Sequence, residues 1–511
     1  MIAVLLAVVL AAQPAPPLLP TPEQPVVLHL HRPSQPGPSS RCANALCGSL
    51  LALIRGATRT IDLAIYGYRD QPEILESLVA ARRRGVVVRA VVDREPDGRN
   101  LYDGTEAFVA ALGPVADDRA ADLRAVARQR PYDPSWSRCW REPEPGRLGP
   151  RQCVGYDLGD RCLLAVHASA EPLSFQGDIV HHKVFVIDGR WVWTGSTNVS
   201  DTCAGGYNAN LVAVVDSPEV AAWYRAEIDE LQAGRFHEEK ADPPPLSVRL
   251  ADGTRVEGWM SPQDRPLTRL VVREIERAER RIDVAIFFLT HKEVAGALIR
   301  AHRRGVAVRV LADASGATNA YTKVELLRAA GVPVKIEPWG GKLHLKAAAI
   351  DGRVAIVGSM NWTSAGEGGN DENTLVLRGA GPAGALHAWI DEAWAAVPDR
   401  WLSGRPDPES RDSGTACSDG VDNDHDSLTD GEDPGCGPTP PPLAPLPPYQ
   451  IVPKVEGAPL VKAVTLPDGT RRALTPAQRD WSLARAEALF CSVEDAARAG
   501  YPTSGTERRS P

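Results

Sequence analysis

Residues 181–198 read HHKVFVIDGRWVWTGSTN, and residues 344–361 read HLKAAAIDGRVAIVGSMN. Both fit H-x-K-x4-D-x6-G-S-x-N with identical internal spacing, and the copies begin 163 residues apart. The residues after each histidine read as a strand, in which positions two apart share a side. His181 with Lys183, and His344 with Lys346, are therefore predicted to project together from one strand face. Gly189 and Gly352 read as turns, and a second strand is predicted to end at Gly195-Ser196 or Gly358-Ser359, just before Asn198 or Asn361.

The repeat extends upstream. TIDLAIYGY (60–68) and RRRGVVVRAVVD (82–93) recur as RIDVAIFFL (281–289) and HRRGVAVRVLAD (302–313), which aligns Asp62 with Asp283 and Asp93 with Asp313. Short Val/Ile-rich runs bounded by Gly or Asp are the pattern of buried strands. Between them, ILESLVAARRR and EVAGALIRAHRR have helical periodicity, with arginines in the last turn and glycine after it. Those arginines read as charges complementing helix C-termini rather than a phosphate patch. The β-α-β order predicts an α/β fold of two lobes, 41–240 and 241–402. Each is expected to be a mostly parallel mixed sheet flanked by helices, the two related by pseudo-twofold symmetry. Each closes with an amphipathic helix, PEVAAWYRAEIDELQAG or PAGALHAWIDEAWAAV.

The lobes differ in one place: Asp93 to His181 spans 88 residues and Asp313 to His344 only 31, a surplus of about 57 in lobe 1. Most of it lies within about 117–175 and carries Trp136, Cys139, Trp140, Cys153, Tyr156 and Cys162. A structureless loop of that length is rare, so a disulfide-pinned subdomain beside the motifs is expected, with a surface decoration as the alternative.

Outside the lobes, residues 1–12 form an apolar run that fits a cleaved signal peptide, although no Lys or Arg precedes it. A buried N-terminal strand or helix is the competing reading. Residues 13–40 read as a Pro-rich linker. Export to an extracellular or periplasmic compartment would place most of the nine cysteines, at 42, 47, 139, 153, 162, 203, 417, 436 and 491, in disulfides, one thiol being left over by parity. Zinc is the alternative, but no C-x2-C pair or His cluster completes a site. No segment is long and apolar enough for a transmembrane helix. Residues 403–449 form a Pro/Asp-rich linker with a polyproline-type spacer. Within it, between Cys417 and Cys436, Asp422, Asp424, Asp426 and Asp430 have a spacing that can wrap a structural calcium ion, without the glycine and closing glutamate of an EF-hand. A solvated acidic linker is the other reading. In the 450–511 tail one helix is predicted over 476–500.

The net charge of −8 argues against nucleic acid less than it seems to. Seven carboxylates between Cys417 and Cys436, with no Lys or Arg among them, account for all but one of those charges. The remainder is near neutral and neither selects nor excludes a polyanionic substrate.

A phosphodiester resists attack because its charge repels nucleophiles and its alkoxide leaves poorly. Two histidines solve this when one attacks phosphorus and the other protonates the leaving oxygen. Lys183, Lys346, Asn198 and Asn361, helped by Ser196 and Ser359, have the chemistry to hold the non-bridging oxygens. One motif per lobe would build one such site.

This duplicated motif resembles the HKD signature of the phospholipase D superfamily, over residues 45–400. The resemblance implies two α/β lobes with the site at their interface, a phospho-histidine intermediate and no catalytic metal. It implies His181 and His344 as nucleophile and acid/base pair, with His181 the nucleophile, and structural roles for Asp188 and Asp351. Many members place a glutamate after the asparagine to orient a histidine, and Glu372 occupies that place, whereas lobe 1 has Ala209. The histidines are therefore expected to differ in basicity, although Glu372 could instead cap local structure. Asn198 and Asn361 also head formal glycosylation sequons, read here as coincidental. The expected substrate is a phosphatidylcholine-like phospholipid at a membrane surface, with the aromatic insert at the lipid interface. DNA or RNA is the alternative. Because both half-sites lie in one chain, a monomer is expected.

Overall fold

The computed structural model describes residues 17–33, 36–95, 100–128, 152–157, 161–165, 178–319, 321–424, 428–440, 443, 451–453, 461–465, 470–475, 488–490 and 492–503. The expected signal peptide, most of the polyproline spacer, Asp426, Cys139 and Cys491 lie outside them, as do the side chains of Cys153 and Cys162.

Lobe 1 contributes strands β1 (Val26–His31), β2 (Thr60–Ile65), β3 (Val87–Val92), β4 (Ala116–Asp117), β5 (Lys183–Ile187), β6 (Trp191–Gly195) and β7 (Asn210–Asp216). They form one sheet in the order β1-β7-β6-β5-β2-β3-β4. Lobe 2 adds β8 (Leu246–Arg249), β9 (Arg255–Ser261), β10 (Arg281–Ile286), β11 (Ala307–Ala312), β12 (Val334–Ile336), β13 (Lys346–Ile350), β14 (Val354–Gly358) and β15 (Glu372–Arg378), in the order β8-β9-β15-β14-β13-β10-β11-β12. Both sheets are mixed. The β-α-β units supply the parallel pairs, β2 with β3 and β10 with β11, extended to β4 and β12. The motif hairpins β5-β6 and β13-β14, and the strands beyond them, pair antiparallel, because a short turn can only reverse the chain.

The strand β1 lies inside the expected 13–40 linker. Its VVLHLH pairs along its full length with β7, and Val26, Val27 and Leu28 are buried. Lobe 1 therefore begins before residue 41, since the edge of β7 is covered by this apolar run.

Strands β5 and β13 are buried on both faces. Val184 and Val186 join Ala347 and Ala349 in a central core shared by the two lobes, completed by Trp223, Tyr224, Trp389 and Ile390 of the closing helices Pro218–Gln232 and Ala380–Ala396. Phe185 and Ile187 face a lobe 1 core under the helices Ala45–Gly56 and Pro72–Arg83, while Ala348 and Ile350 face its lobe 2 counterpart. The shared core docks the lobes and places the starts of β5 and β13 at their junction. Arg84 donates to the carbonyls of Ile54, Arg55 and Ala57, and Arg304 to those of Ile275 and Glu276. These arginines complement a helix C-terminus, but a neighbour's rather than their own.

Within the lobe 1 insert, the described residues form the helix Arg119–Arg128 and a hairpin of Gln152–Asp157 with Arg161–Ala165, joined by Ile451–Pro453 of the tail. Of the predicted 476–500 helix, residues 476–487 and 491 lie outside the described residues, and Val493–Arg498 is helical. Ala488–Phe490 instead pairs with Val461–Thr465, because Phe490 packs with Val461, Ala463 and Tyr501 in a small core. Residues 403–424 and 428–440, expected as linker, fold against both lobes. The Tyr207 hydroxyl donates to Asp419, Arg328 to the Gly404 carbonyl, and a disulfide joins Cys417 to Cys436. Cys42 and Cys47 form a second disulfide, and Cys203 is a free, buried thiol. Among the described residues no helix is long and apolar enough to cross a membrane.

Candidate active site

Each motif is anchored by groups the repeat duplicates. The Asp93 carboxylate accepts the Val180 N–H at 2.8 Å, and Asp313 accepts the Leu343 N–H at 2.8 Å, one residue before each histidine. At the hairpin turns Asp188 takes the N–H groups of Thr58, Arg59 and Thr60, and Asp351 those of Glu279, Arg280 and Arg281. Burial alone would raise both carboxyls, but these donors hold them below the usual carboxylate range. Both aspartates thus grip the backbone at the far end of the strand from the histidines. Gly195 and Gly358 are needed for close approach: a Cβ there would meet the Leu211 or Asn373 carbonyl oxygen at 2.2 Å.

The lobes then exchange backbone bonds. The His181 N–H donates to the Asp371 carbonyl at 2.9 Å, and the His344 N–H to the Ala209 carbonyl at 2.8 Å. Each histidine is thereby held by the segment that follows the other lobe's G-S-x-N. Its ring is held from the same quarter. His181 Nδ1 lies 2.8 Å from Glu372 Oε2, which also accepts from Ser359 Oγ at 2.7 Å. His344 Nδ1 lies 2.9 Å from the Ser196 carbonyl, 3.2 Å from Asn210 Oδ1 and 3.8 Å from Cys203 Sγ. Neither Nε2 has a hydrogen-bond partner among the described residues, and the two residues are 4% and 7% exposed, enough to reach a ligand and little else.

Burial, reinforced by Lys183 and Lys346, holds both imidazoles well below their ordinary value, which favours their neutral form at pH 7. Each ring feels the other lobe's lysine, which puts both pairs around one space. The lysine ammonium groups donate back to the carbonyls of His181 and His344 at 2.6 and 2.7 Å. Burial lowers Lys183 to about 7 and, with Lys183 beside it, pushes Lys346 well down. Two crowded lysines whose charged forms burial disfavours, beside two neutral imidazoles, make a site that an anion stabilises. Tyr66 and Phe287, which the repeat aligns, each set a ring against a histidine, at 5.1 and 5.0 Å, and against its lysine.

The predicted serines are placed differently from the expectation. Ser196 Oγ donates to Asn210 Oδ1, and Ser359 Oγ to Glu372, so both hydroxyls serve the groups behind the histidines. Asn198 donates to Tyr102 Oη at 2.9 Å, and the side-chain oxygens of Asn198 and Asn361 are buried without a hydrogen-bond partner among the described residues.

With this geometry in hand, the family comparison is direct. The sequence model described as "Cardiolipin synthase, PLD-like domain" matches residues 50–232 and 271–394, most of both lobes. The chain belongs to the phospholipase D superfamily. It is 30% identical over 117 residues to a mitochondrial cardiolipin hydrolase of Chlamydomonas reinhardtii, covering 23% of this chain and 52% of that protein. It is 34% identical over 110 residues to a phospholipase D of Rickettsia felis, covering 22% and 55%. The chain thus spans about half the length of these curated relatives. Among solved structures, the phosphatidylserine synthase of Haemophilus influenzae is 13% identical with a TM-score of 0.48, covering 75% of this chain and 89% of that one.

In this phospholipase D-like chain, several contacts escaped the sequence reading. Asn210, Cys203, Tyr66 and Phe287 carry no motif signature, although the repeat alignment pairs Tyr66 with Phe287. Glu372 was found, but its reach into the opposite lobe was not. Of the acidic segment, Asp422 and Asp424 converge with Glu409, their carboxylate oxygens within 4.8 Å of one another. Asp430 turns to the backbone N–H groups of Asp419 and Gly420 at 2.9 and 3.1 Å. Glu409, upstream of the Asp spacing, gave no sequence signal.

Proposed function

We propose that this protein is a secreted phosphodiesterase of the phospholipase D type that hydrolyses the headgroup ester of phosphatidylcholine-like lipids. The observation that carries the reading is the pair of imidazoles with Nδ1 tied to the opposite lobe and Nε2 left open beside Lys183 and Lys346. With Glu372 ionised and accepting from Nδ1–H, the Nε2 lone pair of His181 is free to attack phosphorus. The phosphate charge, placed against both lysines, offsets their effect on His344 and allows it to carry a proton. As the His181 Nε2–P bond forms, the P–O bond to the headgroup breaks and its oxygen takes the proton from His344. Neutral His344 then removes a proton from water, whose oxygen displaces His181 from phosphorus, leaving phosphatidic acid. Lys183 and Lys346 bear on the charge of the non-bridging oxygens throughout, so the residues present supply both acid–base and electrostatic work.

Lipid is favoured over nucleic acid because half-buried Tyr66 and Phe287 border the histidines, with Phe288 packed on Phe287, and the sequence has no basic tract. The curated relatives bear lipid-hydrolase names as well. The disulfides accord with export, and calcium remains the proposed occupant of the acidic segment, there to brace structure. The test is choline release from phosphatidylcholine vesicles, beside cardiolipin vesicles and plasmid DNA, for the wild type, His181→Ala and His344→Ala. Choline release lost in both variants, with DNA intact, supports the proposal; DNA nicking lost in both overturns it in favour of a nuclease.

A further inference from the structure

Glu372 is flanked by two residues that lobe 1 and the inter-lobe connector grip from opposite sides. On one side Lys240 Nζ lies 2.8 Å from Asp371 Oδ1, which also accepts the His237 backbone N–H at 2.9 Å, and the His237 ring nitrogen Nδ1 is 3.1 Å from Asp371 Oδ2. On the other side Asn373 accepts from Tyr224 Oη at 2.9 Å and Thr194 Oγ1 at 3.1 Å, and its amide lies 3.2 Å from His182 Nδ1. His182 Nε2 contacts Glu227 at 3.0 Å, and Glu227 returns to Lys240, which closes a ring of contacts around the segment. Asp371, Glu372, Asn373 and His182 are all completely buried.

Among the described residues, lobe 1 has no such ring. The matched segment carries Asn208 in place of Asp371, and that neutral amide accepts the Lys342 N–H and donates to Cys203. Among the described residues, the charged clamp therefore occurs where a carboxylate is delivered to a histidine and not at the matched lobe 1 segment. We propose that His237 and Lys240 are positioning residues for the His181 half of the site, clamping Asp371 so that the next residue presents its carboxylate to the His181 ring. The inference rests on the phosphodiesterase reading for the role of His181, but its geometry does not.

Two adjacent buried carboxylates repel each other and are costly unless cations compensate them. His237 faces Asp371, Asp118 at 3.7 Å and Asp122 at 3.6 Å, with Asp178 also acting on it. Burial alone would lower it, yet Asp371 and Asp118 raise it to about 9, so it is charged at neutral pH. Burial would raise Asp371, but Lys240 and His237 hold it well below the carboxylate range. Glu372 faces Lys183 and His182, and burial still pushes it up to about 7. Without the clamp, a full negative charge on Asp371 would oppose ionisation of Glu372 and weaken its hold on Nδ1–H.

The test is a pair of opposed variants of the full chain. Lys240→Met removes a cation and leaves Asp371 charged; Asp371→Asn removes the anion and copies the lobe 1 residue with little change of shape. Histidine-15N NMR of His181 reads its tautomer and titration whether or not the protein cleaves anything. The pH profile of a chromogenic phosphodiester reads catalysis. We expect the acid-side limb, and the His181 transition that accompanies Glu372 ionisation, to move to higher pH in Lys240→Met and to lower pH in Asp371→Asn. In Lys240→Met, kcat should fall on the order of ten- to a hundred-fold with KM little changed. Shifts in one direction for both variants, or none, overturn the clamp. Should Lys240→Met not fold, Asp371→Asn alone decides by the sign of its shift. A wild type inactive on every diester would sink the phosphodiesterase reading, while the NMR still tests the clamp.

Discussion

The His181 and His344 halves of the site share one motif, one spacing and one pattern of backbone anchoring, yet what each imidazole leans on differs. Both rings have a backbone contact with the serine of the other motif, Ser359 for His181 and Ser196 for His344, but His181 adds a carboxylate where His344 adds a side-chain amide. A carboxylate would stabilise the positive ring created in the proposed phosphorylation of His181, whereas neutral acceptors would leave a ring freer to give and take a proton. A duplicated motif supplies the same reactive groups twice; the partner sent across from the other lobe divides the labour between them.

Four experiments would break or sharpen that comparison. The largest effect is expected from the histidines themselves: each alanine variant should lose at least ~10³-fold in lipid hydrolysis. A p-nitrophenyl diester, whose leaving group needs no proton, should separate them. His344→Ala should still release a first burst, measured by rapid mixing, and His181→Ala none; the reverse would exchange their roles. Next, Glu372→Gln should cost on the order of ten- to a hundred-fold and abolish the fall in rate expected of the wild type as pH drops through about 7, where Glu372 becomes protonated. Its counterpart Asn210→Ala should cost only about 2- to 10-fold, one neutral hydrogen bond with the Ser196 carbonyl still in place. Equal losses would erase the asymmetry. Asp188→Ala and Asp351→Ala should each destabilise the fold by about 1–3 kcal/mol in a denaturant titration, to a similar degree in both lobes, with kcat nearly unchanged in the folded fraction. The smallest effect should come from EDTA, which is expected to leave the rate unaltered, since two imidazoles and two lysines supply the proton transfers and the charge. Loss of activity in a folded, chelated sample would refute this.

The lobes and their reactive residues were legible because each rests on a local pattern repeated twice: alternation around His181 and His344, β-α-β periodicity, and identical offsets. The partners were less legible because they come from afar. Glu372 is 191 residues from His181, and Ser196 is 148 from His344; no periodicity connects such positions. The strand Val26–His31 was hidden by its Pro-rich surroundings, although its own apolar run was plain. Within the predicted tail helix, Ala488–Phe490 is a strand because burial of Phe490 outweighs helical propensity, which is a weak prior. Residues 403–424 and 428–440 look like solvent-loving linker by composition, yet Tyr207, Arg328 and a disulfide pin them down.

The cross-lobe bonds also have a temporal consequence. Every hydrogen bond that orients a catalytic ring closes a loop of well over a hundred residues, and such long closures come late when a chain folds, after hairpins and helices that need only neighbours. Each sheet can form around its own hairpin before either imidazole has found its support. Refolding from denaturant should therefore restore circular dichroism first and enzymatic turnover last, and a newly made chain should stay chemically silent until its second half is complete and docked.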